Sequence, residues 1–269
     1  MAAVNLRYYK DNFLGEPPAL REGKPWWIVV LLTLLLLACA GAFGAFSLSH
    51  GGGDLKAATV YIETPQGTGT GFLIRRDGYL LTNGHVVNWD QTSQVTVYLN
   101  SGESNEKKLA GSVKETGPAG TDKLSDDWAL LKVEPPGGKP TMPFLRMLTS
   151  DCIKESDLVK AAGFPGGKEI DRDLTQGKRT KGPNITIEQG NIAQIIKDDQ
   201  GGTMAFHHRA NTAPGVSGGP VVNQRGRVIG MSTLKSIPPF DKNIALPTSS
   251  FIIAWEKVVR TEYTDYRCK

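Results

Sequence analysis

Ser217 lies in the stretch Thr212-Ala-Pro-Gly-Val-Ser-Gly-Gly-Pro220, directly before the apolar pair Val221 and Val222. Glycine is needed where the backbone takes positive φ or lets another group come close. A turn of this composition can carry a hydroxyl forward while its N–H groups converge on one point. That is the arrangement of a nucleophile beside an oxyanion hole. The same residues would also make a Gly-rich hairpin turn with a solvated serine, so the chemistry depends on partners. A hydroxyl is a weak nucleophile and needs an adjacent base, usually an imidazole that a carboxylate orients.

The sequence holds only 4 histidines. His50 falls in a glycine-rich connection. His207 and His208 are neighbours on an expected strand, so their side chains point to opposite faces, which argues against one shared metal ion. His85 is different: it ends Gly78-Tyr-Leu-Leu-Thr-Asn-Gly-His85, where an apolar strand runs into a small turn. For the carboxylate, Asp127 opens Asp127-Trp-Ala-Leu-Leu-Lys-Val133, and a charge at the mouth of a buried strand is costly unless paired. Asp126 competes for the same role. Chain order separates the serine-hydrolase architectures. Gly215-Val-Ser217-Gly-Gly219 matches the G-x-S-x-G elbow of α/β-hydrolases, but that fold needs a histidine after the serine, and none follows Ser217. A subtilisin-like order needs an acid before the histidine, and Asp54 and Asp77 stand in poor settings for it. His85, Asp127 and Ser217 follow the chymotrypsin order.

These residues need a scaffold, and the rest of the chain reads as strands. The 31 glycines and 16 prolines in 269 residues point to many tight turns. Short β-rich runs cover 58–63, 71–75, 79–82, 95–99 and 128–133. A second set covers 158–162, 185–196, 204–209, 221–222, 228–233 and 243–246. This spacing suggests an all-β barrel or sandwich. The Pro/Gly-rich segment 134–140 separates the two sets. Residues 166–184 read as a polar, basic, mobile loop. Only the end is helical in pattern: Ser249 or Ser250 would cap a helix through residue 262. Net charge is a mild +4 without a Lys/Arg block, so nucleic acid is not an expected partner. No cofactor and no metal are expected either.

Residues 26–48 carry no charged side chain and are long enough to cross a bilayer as a helix. Trp26 and Trp27 stand at its start, and Arg7, Lys10, Arg21 and Lys24 precede it. The bias predicts a cytoplasmic tail over 1–25 and everything beyond the 49–56 linker outside. A secretory signal cleaved near Ala38-Cys39-Ala40, or a lipoprotein site at Cys39, is the competing reading. Either way Cys152 and Cys268 would lie in an oxidising compartment, paired or free.

Four stretches, 69–87, 127–133, 161–166 and 211–223, together with 243–247, resemble trypsin-like serine peptidases of the HtrA (Deg) type over roughly residues 57–260. The resemblance implies an all-β, two-barrel chymotrypsin-like fold with a C-terminal helix over 249–262, preceded by one N-terminal transmembrane helix. Barrel one would span about 57–134 and barrel two about 141–248. It implies His85 as general base, Asp127 as its orienting carboxylate and Ser217 as nucleophile, with the N–H groups of Gly215 and Ser217 as the oxyanion hole. The substrate pocket would be lined by Asn211, Thr212 and Pro214, with Ser232 and Thr233 on a wall. It would carry no acid and so favour a small or medium uncharged side chain. A polypeptide is the implied substrate. Three features depart from the family. Val216 replaces the Asn or Asp usual before the nucleophile, leaving the oxyanion turn without its polar brace. No room for a PDZ domain follows the protease. The 166–184 segment has no clear counterpart.

Overall fold

The computed structural model describes residues 53–121, 123–149, 152–165, 171–173, 178–233, 243–252 and 256. The chain divides into two compact units, Met1–His50 and Gly51–Lys269. The tail at 1–25 and the membrane span at 26–48 lie outside the described residues. Among those described, no helix is long and apolar enough to cross a membrane.

The second unit opens with one helical turn, α1 (Leu55–Ala58), whose first amides at Lys56 and Ala57 donate to the Asp54 carboxylate. Strands β1 (Thr59–Thr64), β2 (Gly67–Leu73), β3 (Tyr79–Thr82), β4 (Val95–Leu99), β5 (Lys107–Thr116) and β6 (Ala129–Val133) follow. They close a barrel in the order β1-β2-β3-β6-β5-β4. Past a connection come β7 (Leu158–Gly163), β8 (Asp171–Asp173), β9 (Lys178–Lys181), β10 (Thr186–Lys197), β11 (Thr203–His208), β12 (Pro220–Asn223), β13 (Val228–Thr233) and β14 (Ile244–Pro247). Six of these close a second barrel, β10-β11-β14-β13-β12-β7, while β8 and β9 form a separate hairpin. The all-β, two-barrel expectation therefore holds.

Two strands with adjacent buried leucines explain how the barrels join. Along β3, Leu80 points into the interior of barrel one with Val60, Ile62, Leu73 and Leu131. Its neighbour Leu81 points the other way, into a core shared with Met231, Ile244 and Leu246 of barrel two. On β6 the same alternation sends Leu131 inward and Leu130 toward barrel two. Period-two geometry turns both faces at Leu80–Leu81 and Leu130–Leu131 toward apolar surroundings, so these pairs do not alternate with polar residues. Burying each such side chain stabilises the fold by about 1.5–3 kcal/mol. The core between the barrels is therefore a structural unit in its own right. Register matters as much: β3 pairs β6 antiparallel with Thr82 opposite Ala129. The chain leaving β3 and the chain entering β6 thus emerge at the same end of the pair.

Three elements differ from the sequence expectations. Strand β5 is absent from them because its residues, Lys-Lys-Leu-Ala-Gly-Ser-Val-Lys-Glu-Thr, lie largely on the solvent side of barrel one; pairing with β4 and β6 makes the strand. The segment read as a loop at 166–184 contains the β8–β9 hairpin. The C-terminal helix starts at Thr248, not at a serine cap. Its carbonyl accepts from Phe251 and Ile252, and its own hydroxyl donates away to Leu148 O at 2.6 Å. Residues 253–255 and 257–269 lie outside the described residues.

His207 and His208 do face opposite sides of β11. His207 is half-buried and His208 is fully buried beside the Phe206 ring, with neither ring nitrogen in a well-formed hydrogen bond. Burial pushes its pKa down to about 4; the His207 charge adds to this and the Ala210 backbone opposes it. Because the folded pKa lies below the unfolded 6.5, the unfolded chain binds the extra proton between those values. Stability is therefore complete above about 6.5 and falls as the pH drops toward 4, by about 3 kcal/mol. Urea unfolding at pH 7 and pH 4.5 should show this slope, and His208→Leu should flatten it.

Candidate active site

Past β3, Asn83 leads into a 3₁₀ turn (Gly84–Val87) that carries His85; just before β6, a second 3₁₀ turn (Leu124–Asp126) delivers Asp127. The register brings them together. Asp127 is fully buried, and an unpaired carboxylate there would cost several kcal/mol. Its oxygens are instead surrounded by donors. Oδ1 accepts from the His85 backbone N–H at 3.0 Å, and His85 Nδ1 lies 3.0 Å from both carboxylate oxygens. Oδ2 also accepts from Thr233 Oγ1 at 2.9 Å. Burial alone would push the carboxyl up. The His85 hydrogen bonds and charge, with the Thr233 hydroxyl, outweigh it and hold the pKa below the ordinary carboxylate value. A carboxylate can only accept, so Nδ1 carries the proton and Nε2 is left as the basic nitrogen.

Asp126, the competing carboxylate, turns elsewhere: its Oδ2 accepts from Thr121 Oγ1 at 2.7 Å and its Oδ1 from Ser125. Two further residues that sequence patterns did not single out support the pair. Asn83 is buried and donates from Nδ2 to Asp127 O at 2.8 Å. Trp89, at the left-handed φ of 51°, returns its N–H to Gly84 O at 2.9 Å, and its ring sits beside the His85 imidazole. Neither carries a local signal beyond its neighbourhood to His85.

Ser217 sits in a turn that begins at Ala213, whose carbonyl accepts from Val216 N–H at 3.2 Å, with Pro214 and Gly215 at the corner and φ of 102° at Gly215. Among the described residues neither the Gly215 nor the Ser217 N–H donates to a protein acceptor. Gly218 must be glycine: its φ is 84°, and a Cβ would meet Thr70 O at 2.1 Å and Thr82 Oγ1 at 2.3 Å. This close approach sets the serine turn of barrel two against the end of β3, a few residues from His85. Ser217 itself is 3% exposed, and its hydroxyl makes no hydrogen bond to a protein group. Such bonds often tighten only with substrate bound.

Val216 is buried and packs on Gly163 of β7, where an added Cβ would lie 2.8 Å from Val216 Cβ and 2.9 Å from its Cα. The turn thus rests on an apolar contact. Gly163→Ala should displace it and lower activity by up to roughly 10²-fold, as misplacement near 1 Å does elsewhere. A casein-cleavage assay reads the loss, and adding Val216→Ala should restore little of it, because the clashing Cβ and Cα at 216 remain.

The residues expected to line the substrate pocket separate. Asn211 and Thr212 line a cleft of about 180 Å³ together with Ala161, Val216 and Glu188. Thr212 is held there by Asn243 Oδ1, which accepts from its N–H at 3.1 Å and its hydroxyl at 2.8 Å. Pro214, Ser232 and Thr233 do not line this cleft. Thr233 instead turns its hydroxyl onto Asp127, and the Ser232 backbone ties to Gly218 N and Gly219 O. Glu188 lines the same cleft, where no acid is expected from the sequence. It reaches the cleft from β10, a strand remote in sequence from the serine.

Two closed six-stranded barrels, with a His–Asp pair from one and a serine turn from the other, define a chymotrypsin-like architecture. The sequence model of the trypsin-like peptidase domain matches residues 69–231, more than half of the chain, and the chain belongs to that family. Its relatives are of the HtrA type. It is 34% identical over 169 residues to a probable periplasmic serine endoprotease DegP-like of Ectopseudomonas mendocina, covering 62% of this chain and 29% of the relative. To the putative serine protease HhoA of Synechocystis it is 34% identical over 170 residues, covering 62% and 36%. The chain thus spans about a third of the length of these relatives. In fold it is similar to Deg5 (TM-score 0.55, 23% identity, 76% of this chain and 90% of that one). It is likewise similar to the inactive form of the Rv3671c protease (TM-score 0.52, 23% identity, 76% and 90%).

Proposed function

We propose that the chain is a membrane-anchored serine endopeptidase that cleaves polypeptides of the envelope or extracellular space. The observation that carries this reading is the buried Asp127, bonded by His85 and Thr233, which leaves His85 Nε2 as the unprotonated nitrogen. In the proposed reaction Ser217 Oγ attacks the scissile carbonyl carbon while its proton passes to His85 Nε2. The Gly215 and Ser217 N–H groups stabilise the oxyanion. Collapse of the tetrahedral intermediate breaks the C–N bond, and His85 gives its proton to the leaving amine. Water then repeats the sequence on the acyl-enzyme, with His85 again taking and returning the proton. Asp127 keeps the imidazole in the correct tautomer.

Anchoring through residues 26–48 with the protease unit outside the inner membrane is supported by the uncharged run and the preceding basic residues. The word periplasmic in the relatives' descriptions points the same way. So does Cys152, which is disulfide-bonded; its partner lies outside the described residues. For the residue before the scissile bond we favour a small or medium side chain, seated near Asn211 and Thr212.

A second reading, a protease-fold module that binds without cleaving, is favoured by the Ser217 hydroxyl, which makes no hydrogen bond to a protein group. Exposure of the purified chain to a fluorophosphonate separates the two. Stoichiometric labelling at Ser217, absent in His85→Ala, supports the enzyme. No labelling, together with intact casein, supports the binding module.

A further inference from the structure

Thr70 lies on β2 of barrel one and is fully buried, yet each of its polar groups reaches another segment. Its hydroxyl accepts from Phe164 N–H at 3.0 Å and donates to Gly215 O at 2.8 Å. Its own N–H donates to Ser217 O at 2.8 Å, and its carbonyl accepts from Thr82 Oγ1 at 2.7 Å. The direction of the hydroxyl proton has no freedom: an amide can only donate and a carbonyl can only accept. Thr70 therefore grips the carbonyls on both sides of Val216, one with its side chain and one with its backbone.

We propose that Thr70 is a positioning residue of the oxyanion turn, and that its hydroxyl replaces the polar brace which Val216 cannot supply. This rests on the proposed role of Gly215 and Ser217 as oxyanion donors. The physical need is specific. Glycine at 215 lowers the barrier to rotating the adjoining peptide planes, because no Cβ opposes it. Rotation of the Gly215–Val216 plane would pull Gly215 O off the Thr70 hydroxyl. It would leave the hydroxyl proton of fully buried Thr70 without an acceptor, which disfavours the rotated turn. Val216 packed on Gly163 limits translation of the turn; Thr70 limits its rotation. The donor N–H groups lie in the adjoining Pro214–Gly215 and Val216–Ser217 planes, so by fixing Gly215 O and Ser217 O barrel one limits how far those planes can turn before substrate arrives.

The test is Thr70→Val, which keeps the shape and removes the hydroxyl, beside Thr70→Ser, which keeps the hydroxyl. Thr70→Ala carries the same expectation if the valine variant does not fold. On a fluorogenic peptide chosen by library profiling, Thr70→Val should lower kcat by roughly 10–100-fold with KM little changed, since the lost interaction acts on the transition state. The rate of fluorophosphonate labelling should fall by a similar factor, and Thr70→Ser should restore both. Hydrogen exchange over residues 213–219 should be faster in Thr70→Val than in wild type, with exchange in β3 and β13 unchanged. A serine variant as impaired as valine overturns the proposal, as does a loss carried by KM alone. Exchange over 213–219 that is the same in wild type and Thr70→Val overturns it whatever the activity. A wild-type chain that neither labels nor cleaves would instead overturn the peptidase reading, while the exchange measurement still judges the brace.

Discussion

Replacing Ser217 by alanine is expected to lower peptide-bond hydrolysis by roughly 10⁴–10⁶-fold while leaving the fold in place. The size follows from the role proposed for the residue. Without Oγ no acyl-enzyme forms, and what remains is the contribution of oxyanion donors and binding to direct attack by water. The structural side of the expectation is equally definite. The Ser217 side chain is buried, and its hydroxyl makes no hydrogen bond to a protein group, so removing it breaks no bond within the protein. A buried hydroxyl without a partner is itself unfavourable. The alanine variant should therefore melt at the same temperature as wild type or slightly above it. Activity on casein, read beside a thermal melt, checks both halves. A variant that still cleaves would sink the assignment of the nucleophile. One that unfolds would show that the hydroxyl supports the turn.

Asp127→Asn is expected to cost about 10⁴-fold in kcat through the tautomer of His85. The carboxylate now accepts from His85 N, His85 Nδ1 and Thr233 Oγ1. An asparagine keeps one acceptor oxygen, which can stay on the His85 backbone N–H. Its amide nitrogen must then face Nδ1 and the Thr233 hydroxyl as a donor. The hydroxyl can rotate to accept, and Nδ1 can accept only by giving up its proton to Nε2. An imidazole protonated at Nε2 cannot take the serine proton. Fluorophosphonate labelling and turnover should fall together, with substrate affinity little affected.

The same residue has a pH signature. Its folded pKa is depressed, so its stabilising contribution is complete above the unfolded value of 3.8 and disappears as pH falls through the folded value. Wild type should lose this part of its stability only in strong acid, and Asp127→Asn should not. That window lies below the one assigned to His208, so urea unfolding against pH resolves the two.

Much of this was legible in the residues themselves. Strands β3, β4 and β13 fall at the bounds read from the sequence, because their β-branched, aromatic and leucine residues suit buried strands. The order of His85, Asp127 and Ser217 selected one architecture, since order along the chain is a property of sequence alone. Strand β5 and the β8–β9 hairpin were not legible. Their residues are polar, and their pairing is set by neighbours far away in the chain.

The site divides in the same way. Sequence by itself determined which residues could act as base, carboxylate and nucleophile, because those roles follow from functional groups and local turn chemistry. Only the tertiary structure decided what holds them. Thr233 moved from an expected pocket wall onto Asp127, and Asp126 was turned away to Thr121. Val216 found its support in Gly163, and Thr70 reached across from barrel one to the serine turn. Each of these contacts joins segments distant in the chain. Hydrogen bonds and packing act over a few ångströms of space, whereas a sequence motif records only neighbours along the chain.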